Sequence, residues 1–243
     1  MVSQPASRPS TTHSNLVATG SPPSVDQNGY HTHGRNTWTI EDSEALYQIR
    51  GWGDPYFSIN AMGHVTVSPQ GDRGGSLDLF ELVQSLQLRD LALPLLIRFP
   101  DILDDRIQRL NACFAKAIAR YSYQGVYRGV FPIKCNQQRH LVEALVEYGK
   151  PYQFGLEAGS KPELMIALAA LDTPGALLIC NGYKDQDYVE TAMLARRLGK
   201  LPIIVLEQPE ELDLVLAAHE RLAIKPLIGV RAKLTTRGVG RWG

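Results

Sequence analysis

The sequence of 243 residues has only three cysteines, no excess of charge of either sign and no long apolar run. Cys113, Cys135 and Cys180 form no C-x-x-C pair and have no histidine cluster nearby, which argues against a disulfide framework or structural zinc and favours a reducing cytosol. Lys plus Arg and Asp plus Glu number 25 each, so no basic field would draw the chain to nucleic acid or anionic lipid. The aliphatic runs are far shorter than the ~20 residues that span a bilayer, and no signal-peptide core follows the N-terminus. We therefore expect a cytoplasmic protein with neither nucleic acid nor membrane as a partner.

Composition divides the chain into three regions. Residues 1–36 are rich in Ser, Thr, Pro, Asn and His and are predicted to be a disordered tail, because they offer too little apolar area to offset the entropy of ordering. A plastid transit peptide is the alternative for this tail, although it should carry more arginine. Residues 37–90 are predicted to be a β-rich region with one hairpin, in which YFSIN and HVTVS flank a turn at residues 61–63. Residues 91–243 form the third region.

In this third region, apolar strands alternate with helical segments. The continuous hydrophobicity of the strands indicates that both faces are covered, which is typical of a parallel sheet in a doubly wound fold or a (β/α)8 barrel. Six strands with five intervening helices are predicted: LLIRF from Leu95, GVFPIKCN from Gly129, FGLEAGS from Phe154, ALLICNGY from Ala176, IIVLEQ from Ile203 and LIGVRAKL from Leu227.

Several helices carry signals of their own. Residues 160–163, SKPE, are predicted to be a capping box with proline in the first turn, and residues 208–211, QPEE, place proline and two acids at another helix start. Lys161 and Lys184 each begin a helix and are expected to face solvent. Apolar residues spaced by three and four predict one helix face between the first two strands: Ile107, Leu110, Phe114, Ile118 and Tyr121.

Polar residues follow successive strands at their carboxyl ends, and they favour the barrel: Lys134, Glu157, Asn181, Glu207 and Arg231. In a barrel these ends surround one mouth, whereas an open doubly wound sheet would need a glycine-rich first turn that the chain lacks. GVGRWG, from Gly238, contains a G-x-G but has no helix after it, so it is weak evidence for a phosphate loop.

The residue types in this set indicate imine chemistry. A lysine in a half-enclosed barrel mouth is expected to be partly desolvated, which makes its neutral amine available for attack on an aldehyde. Glu157 could place a carboxylate near the imine, and Arg231 could balance the charge of a phosphate or phenolate. The alternative is that Glu157 and Arg231 are strand-end ion-pair residues that only tie the barrel together.

The motifs PIKCNQ, FGLEAGSKPEL, ICNGYKD, VLEQPEELDLVL and GVRAKL, in this order, resemble the biosynthetic arginine decarboxylases of bacteria and plants. GWGDPYFSIN and LPLLIRFPDIL are similar to that family's N-terminal region, and RFPDIL and KCNQ are more similar to its plant and cyanobacterial branch. The resemblance covers residues 38–242. It implies an incomplete (β/α)8 barrel of the alanine racemase type, pyridoxal 5'-phosphate as cofactor with Mg2+ as an optional second one, and conversion of L-arginine to agmatine and CO2 in polyamine biosynthesis.

The resemblance also implies roles for individual residues. Lys134 matches the lysine that holds the cofactor as a Schiff base, Glu157 an acidic position beside it, and Arg231 an arginine that lines the cofactor pocket. A full barrel needs eight strands and the family's remaining motifs come later, so we expect this chain to be the N-terminal portion of a longer enzyme, inactive alone and homo-oligomeric when complete. Two alternatives stay open: another decarboxylase or a racemase of the same barrel group, and a non-catalytic half-barrel that pairs with a complete subunit.

Overall fold

The structure is a computed structural model and describes residues 38–232. Two predictions concern residues outside this range, namely the disordered tail and the GVGRWG loop, and they stay predictions. The described residues contain two separate sheets, one antiparallel with three strands and one parallel with five.

The first sheet belongs to the N-terminal region and confirms the predicted hairpin. Its first two strands pair antiparallel, with Phe57 opposite Val67 and Ile59 opposite Val65. The region is less purely β than the sequence indicates, because three helices surround the sheet. Its elements are α1 (Ile40–Tyr47), α2 (Ile49–Gly53), β1 (Phe57–Ile59), β2 (Val65–Val67), β3 (Leu77–Asp78) and α3 (Leu79–Gln87).

The second sheet is parallel, as predicted, and its strands lie in chain order with a helix between each pair. This is the first part of a (β/α)8 barrel. Its elements are α4 (Pro100–Tyr121), β4 (Val130–Pro132), α5 (Arg139–Gly149), β5 (Gly155–Ala158), α6 (Lys161–Ala170), β6 (Leu177–Cys180), α7 (Gln186–Leu194), β7 (Leu201–Leu206), α8 (Glu211–Leu222) and β8 (Ile228–Val230).

The prediction of a strand at LLIRF, the first of the six predicted, is wrong. Residues 95–99 form no strand and pair with neither sheet, although their exposure alternates as it would in a strand. A strand needs a neighbour to satisfy its backbone N–H and C=O groups, and none of the described strands lies beside this segment. The parallel sheet therefore begins at β4.

The core lies between the parallel sheet and its helices. Leu156, Leu178 and Ile204 come from three adjacent strands, are at most 1% exposed and pack against apolar residues of α5 to α8. Complete burial of such a side chain contributes roughly 1.5–3 kcal/mol. Because strand residues alternate between faces, the residues between these core positions point to the other side of the sheet.

The predicted apolar face of α4 is only partly buried. Ile107 is buried, whereas Leu110, Phe114 and Tyr121 are exposed. Phe114 stacks on Tyr127 with the two rings nearly parallel. No helix in the described part of the chain is both long and apolar enough to cross a bilayer.

Candidate active site

The structure brings the five predicted polar residues together at one cavity of about 460 Å³. We call it the site cavity; it lies at the carboxyl ends of the parallel strands. Parallel strands end at the same edge of a sheet, so side chains that follow successive strands become neighbours there. The lining consists of Lys134, Glu157, Asn181, Glu207 and Arg231 together with Gly159, Glu163, Gly182 and Val205.

Lys134 reaches the cavity from a short 3-10 turn, Ile133–Cys135, that follows β4 directly. The turn is anchored by Ile133, which is completely buried. The Nζ of Lys134 lies 3.8 Å from Oε1 of Glu157, close enough for an ion pair. The expected desolvation of this lysine is wrong for the described structure, since its side chain is 64% exposed. No described segment covers the mouth of the cavity above it.

Glu157 occupies a central position in β5, between the core residues Leu156 and Ala158. Its side chain therefore points away from the helices and into the cavity, where it is only 8% exposed. Oε1 accepts a hydrogen bond of 3.2 Å from the side-chain amide of Asn181. Oε2 is buried and has no hydrogen-bond partner within residues 38–232. A buried acceptor without a donor costs about 1–3 kcal/mol, so this oxygen is available to a ligand that brings a donor.

Glu207 and Arg231 form a second ion pair across the ends of β7 and β8, with 2.8 Å between Oε2 and Nη1. The other oxygen of Glu207 accepts the backbone N–H of Gly182 at 2.8 Å. Partial burial raises the pKa of Glu207, but the Gly182 N–H and the Arg231 guanidinium outweigh burial and hold this pKa below its usual value. Arg231 thus pairs with a strand-end carboxylate, as the alternative hypothesis requires, but the carboxylate is Glu207 and not Glu157. The side chain of Arg231 stays 60% exposed, so its other guanidinium N–H donors remain open to a ligand.

Glu163 also lines the cavity, although the sequence pattern assigned it to a capping box. The capping box is wrong: Ser160 makes no side-chain cap, and Oε2 of Glu163 accepts the N–H of Gly159 at 2.6 Å. Oε1 lies 3.4 Å from the side-chain amide of Gln137. The cavity therefore holds three carboxylates. The position of Glu163 in the first turn of the helix that follows β5 was the sequence signal for the third.

Lys184 is the second residue that sequence reasoning misplaced. Its side chain is 0% exposed and lies 3.3 Å from Glu211, whereas a lysine before a helix was expected to face solvent. Lys161 follows the expectation more closely: it is half-exposed and pairs with Asp185 and Asp187. The helix start at residues 208–211 also differs from the prediction, because α8 begins at Glu211 and Pro209 lies in the turn before it.

The described residues give no support to the Mg2+ expectation. Among them, no group of three or more His, Cys, Asp or Glu side chains is arranged to hold a metal ion. The carboxylates of the cavity instead face lysine, arginine, amide and backbone N–H groups. These partners are typical of an organic ligand site with fixed polar contacts.

Comparison with known proteins adds independent information. Residues 105–239 match the sequence model of the pyridoxal-dependent decarboxylases, pyridoxal binding domain. The biosynthetic arginine decarboxylase of Nostoc sp. is 79% identical over 206 residues, which are 85% of this chain and 30% of that protein. The corresponding protein of Thermosynechococcus vestitus is 74% identical over 86% of this chain and 33% of its own length. The chain thus spans about a third of the length of these curated relatives.

Solved structures agree with the fold. The crystal structure of the biosynthetic arginine decarboxylase of Campylobacter jejuni superposes with a TM-score of 0.70 at 31% identity, covering 78% of this chain and 32% of that chain. A structure from Aquifex aeolicus has a TM-score of 0.52 at 21% identity over 73% of this chain and 37% of that chain, and it supports the fold alone.

Proposed function

Because the chain belongs to the pyridoxal-dependent decarboxylases, through their pyridoxal binding domain, we propose that it is part of an enzyme that decarboxylates L-arginine to agmatine. One observation carries the proposal: Lys134 lies 3.8 Å from the buried Glu157 in a cavity formed by five strand ends. The high identity to proteins named biosynthetic arginine decarboxylase supports arginine as the substrate and polyamine biosynthesis as the context. The chain covers only about a third of the length of these relatives, which supports the proposal that it belongs to a longer polypeptide.

The residues of the site cavity fit pyridoxal 5'-phosphate. Its aldehyde needs an amine, and Lys134 offers one that is open to the cavity. Its ring and hydroxyl groups need polar partners, and the unpartnered Oε2 of Glu157 is a buried acceptor at that place. Its anionic groups need a cation, and Arg231 has a partly exposed guanidinium. The cavity volume of about 460 Å³ also lies in the usual range for small-molecule sites.

We assign the roles as follows. Lys134 is the catalytic residue, and its amine would hold the cofactor covalently. Glu157 and Arg231 bind the cofactor, the first as a hydrogen-bond acceptor and the second as a positive charge. The side-chain amide of Asn181 donates a hydrogen bond to Oε1 of Glu157, so Oε2 is the oxygen that remains available to the ligand. When bound, the cofactor supplies an electron-accepting ring that stabilises the charge left after the carboxylate departs.

The overall reaction balances without an oxidant or a reductant. The bond between Cα and the carboxylate of arginine breaks, CO2 leaves, and a proton takes the vacant position on Cα. Two of the three cavity carboxylates are paired with Lys134 and Arg231, so the lining carries one more formal negative than positive charge, which favours a cationic substrate.

The remaining parts of the proposal concern the whole protein. A homo-oligomer and a reducing cytosol are proposed, the latter because cysteine is scarce. The division into residues 1–36, 37–90 and 91–243 is proposed as well, and the separation of the two sheets supports the boundary between the second and third regions. Mg2+ forms no part of the proposal.

Borohydride reduction of the full-length protein loaded with pyridoxal phosphate tests the assignment of Lys134. We expect the pyridoxyl mass on the peptide that contains residues 131–136, and we expect Lys134→Ala to abolish it. Lys161→Ala is the matched control and should keep the label, because Lys161 is paired with Asp185 and Asp187 outside the cavity. A label on Lys161 or Lys184 would contradict the assignment.

Release of CO2 from arginine, ornithine and diaminopimelate then separates the alternatives. Turnover of arginine alone supports the proposed substrate, while turnover of another amino acid favours a different member of the barrel group. A full-length protein that binds no cofactor and associates with an active decarboxylase subunit would favour the regulatory half-barrel.

A further inference from the structure

Beside the site cavity lies a buried ion pair between Lys184 and Glu211. The Nζ of Lys184 is 3.3 Å from Oε2 of Glu211, and the two side chains are 0% and 3% exposed. Lys184 lies in the loop that follows β6, and Glu211 is the first residue of α8. They are 27 positions apart in the sequence. Neither side chain lines the cavity, so the proposed chemistry makes no direct use of them.

The hydrogen bonds of this pair lead to two residues that do line the cavity. Nζ of Lys184 donates to the carbonyl oxygen of Gly182 at 2.6 Å, and Oε2 of Glu211 accepts the backbone N–H of Glu207 at 2.8 Å. The N–H of Gly182 in turn donates to Oε1 of Glu207 at 2.8 Å. Gly182, Lys184, Glu211 and Glu207 therefore form a closed cycle of hydrogen bonds between the loops after β6 and β7.

Stability alone is a weak reason for such a pair. Removing two charges from water is costly, and replacement of a buried ion pair by apolar residues of similar volume is often neutral or stabilising. What an apolar pair could not supply is the set of directed bonds to the backbone of Gly182 and Glu207. These bonds specify the position of the Glu207 carboxylate, which is the partner of Arg231.

We propose that the Lys184–Glu211 pair is a positioning device for the site cavity: it holds Glu207, and through Glu207 it orients Arg231 toward the bound cofactor. The inference rests on the proposed function, because Arg231 matters here as a cofactor-binding residue. Lys184 and Glu211 are positioning residues in this scheme and touch neither the cofactor nor the substrate.

The test compares cofactor affinity with folding in the full-length protein. The double variant Lys184→Met/Glu211→Leu removes both charges, so it leaves no unpaired buried ion. Pyridoxal phosphate affinity is measured by equilibrium dialysis, and the unfolding midpoint by thermal denaturation of the cofactor-free protein. Outer residues that orient a ligand change affinity by ~10–100-fold in metal sites, so we expect a loss on the order of tenfold here. The unfolding midpoint should fall as well, because the carbonyl oxygen of Gly182 and the N–H of Glu207 lose their partners.

A thermodynamic cycle with Glu207→Gln distinguishes positioning from general destabilisation. If the pair acts through the Glu207 carboxylate, the double variant should cause no further loss of affinity in the Glu207→Gln background. Additive losses, or an unchanged affinity in the double variant, would overturn the inference. Lys161→Met is the matched control, because it removes a lysine from an exposed pair with Asp185 and should leave the affinity unchanged.

A second variant covers the case in which the first does not fold. Lys184→Met/Glu211→Gln keeps an acceptor oxygen for the N–H of Glu207. Its loss of affinity should be smaller than that of the first variant and again absent in the Glu207→Gln background. The two proposals also fail differently. A parent protein that binds no pyridoxal phosphate refutes the proposed function, whereas a parent that binds it and variants that bind equally well refute only the positioning role.

Discussion

Gly182→Ala tests whether the loop between β6 and α7 depends on close backbone approach. Gly182 has a φ of 76°, in the left-handed region, and a Cβ at this position would collide with the carbonyl oxygen of Gly159 in the loop after β5. The N–H of Gly182 also donates a hydrogen bond to the carboxylate of Glu207. The substitution should therefore strain the backbone, push two loops apart and release a cavity carboxylate.

The magnitude follows from two separate costs. A non-glycine residue in the left-handed region costs about 1–2 kcal/mol. Forcing an extra carbon into a packed site costs typically ~1–3 kcal/mol more. The sum predicts that Gly182→Ala lowers the free energy of unfolding by about 2–5 kcal/mol, a large share of the ~5–15 kcal/mol that stabilises a domain.

Gly199→Ala is a control that isolates the first cost. Gly199 has the same φ of 76°, but no atom lies within 4 Å of a Cβ built there. It should lose only about 1–2 kcal/mol. Urea unfolding of the two full-length variants, followed by fluorescence, measures the difference. Equal losses would refute the reasoning, because they would show that the approach of Gly159 to Gly182 imposes no constraint.

Two further predictions concern Asp105 and Cys180. Burial raises the pKa of Asp105, but bonds from Tyr56, Arg73 and Arg109 outweigh it and hold this pKa below its usual value. Its stabilising effect is therefore fully present above the unfolded value of about 3.9 and is lost as the pH falls through the lower folded pKa. Asp105→Asn should lower the free energy of unfolding by about 2 kcal/mol at pH 7, as measured by urea unfolding. The variant should also lose less stability than the parent as the pH falls, and an unchanged dependence of stability on acid pH would contradict this. Burial raises the pKa of the Cys180 thiol to about 11, whereas Cys113 and Cys135 are exposed. At pH 8, iodoacetamide should therefore modify Cys113 and Cys135 and should reach Cys180 only after urea unfolds the chain. Rapid labelling of Cys180 in the native protein, measured by mass spectrometry, would contradict its burial.

Most of the sheet could be predicted from local sequence. Alternation in β5 places Leu156 and Ala158 in the core and Glu157 in the cavity, and this follows from the period of two in any strand. The gathering of Lys134, Asn181 and Arg231 at one cavity follows from the same logic, because each comes just after a strand of one parallel sheet. Contiguous residues carry this information, so no knowledge of tertiary contacts was needed.

The errors came from features that depend on neighbours in space. LLIRF has the composition of a strand, but no described strand lies beside it. Glu163 has the spacing of a capping residue, but the N–H of Gly159 is the one within its reach. Lys134 is exposed because nothing among the described residues covers the cavity mouth. In each case the local sequence pattern was present, but the neighbouring strand, N–H group or covering segment that it implied was not at that place among the described residues.

The sequence by itself determined the parallel order of β4 to β8, the face that each strand buries and the set of polar side chains at the carboxyl ends. Only the tertiary structure decided which of those side chains pair: Arg231 with Glu207, Lys134 with Glu157 and the buried Lys184 with Glu211. The physical reason is range. The face that a strand residue occupies depends on residues one or two positions away. The ion pairs join residues much farther apart, from 23 positions for Lys134 and Glu157 to 27 positions for Lys184 and Glu211. They form only when the packing of the helices sets the strands side by side.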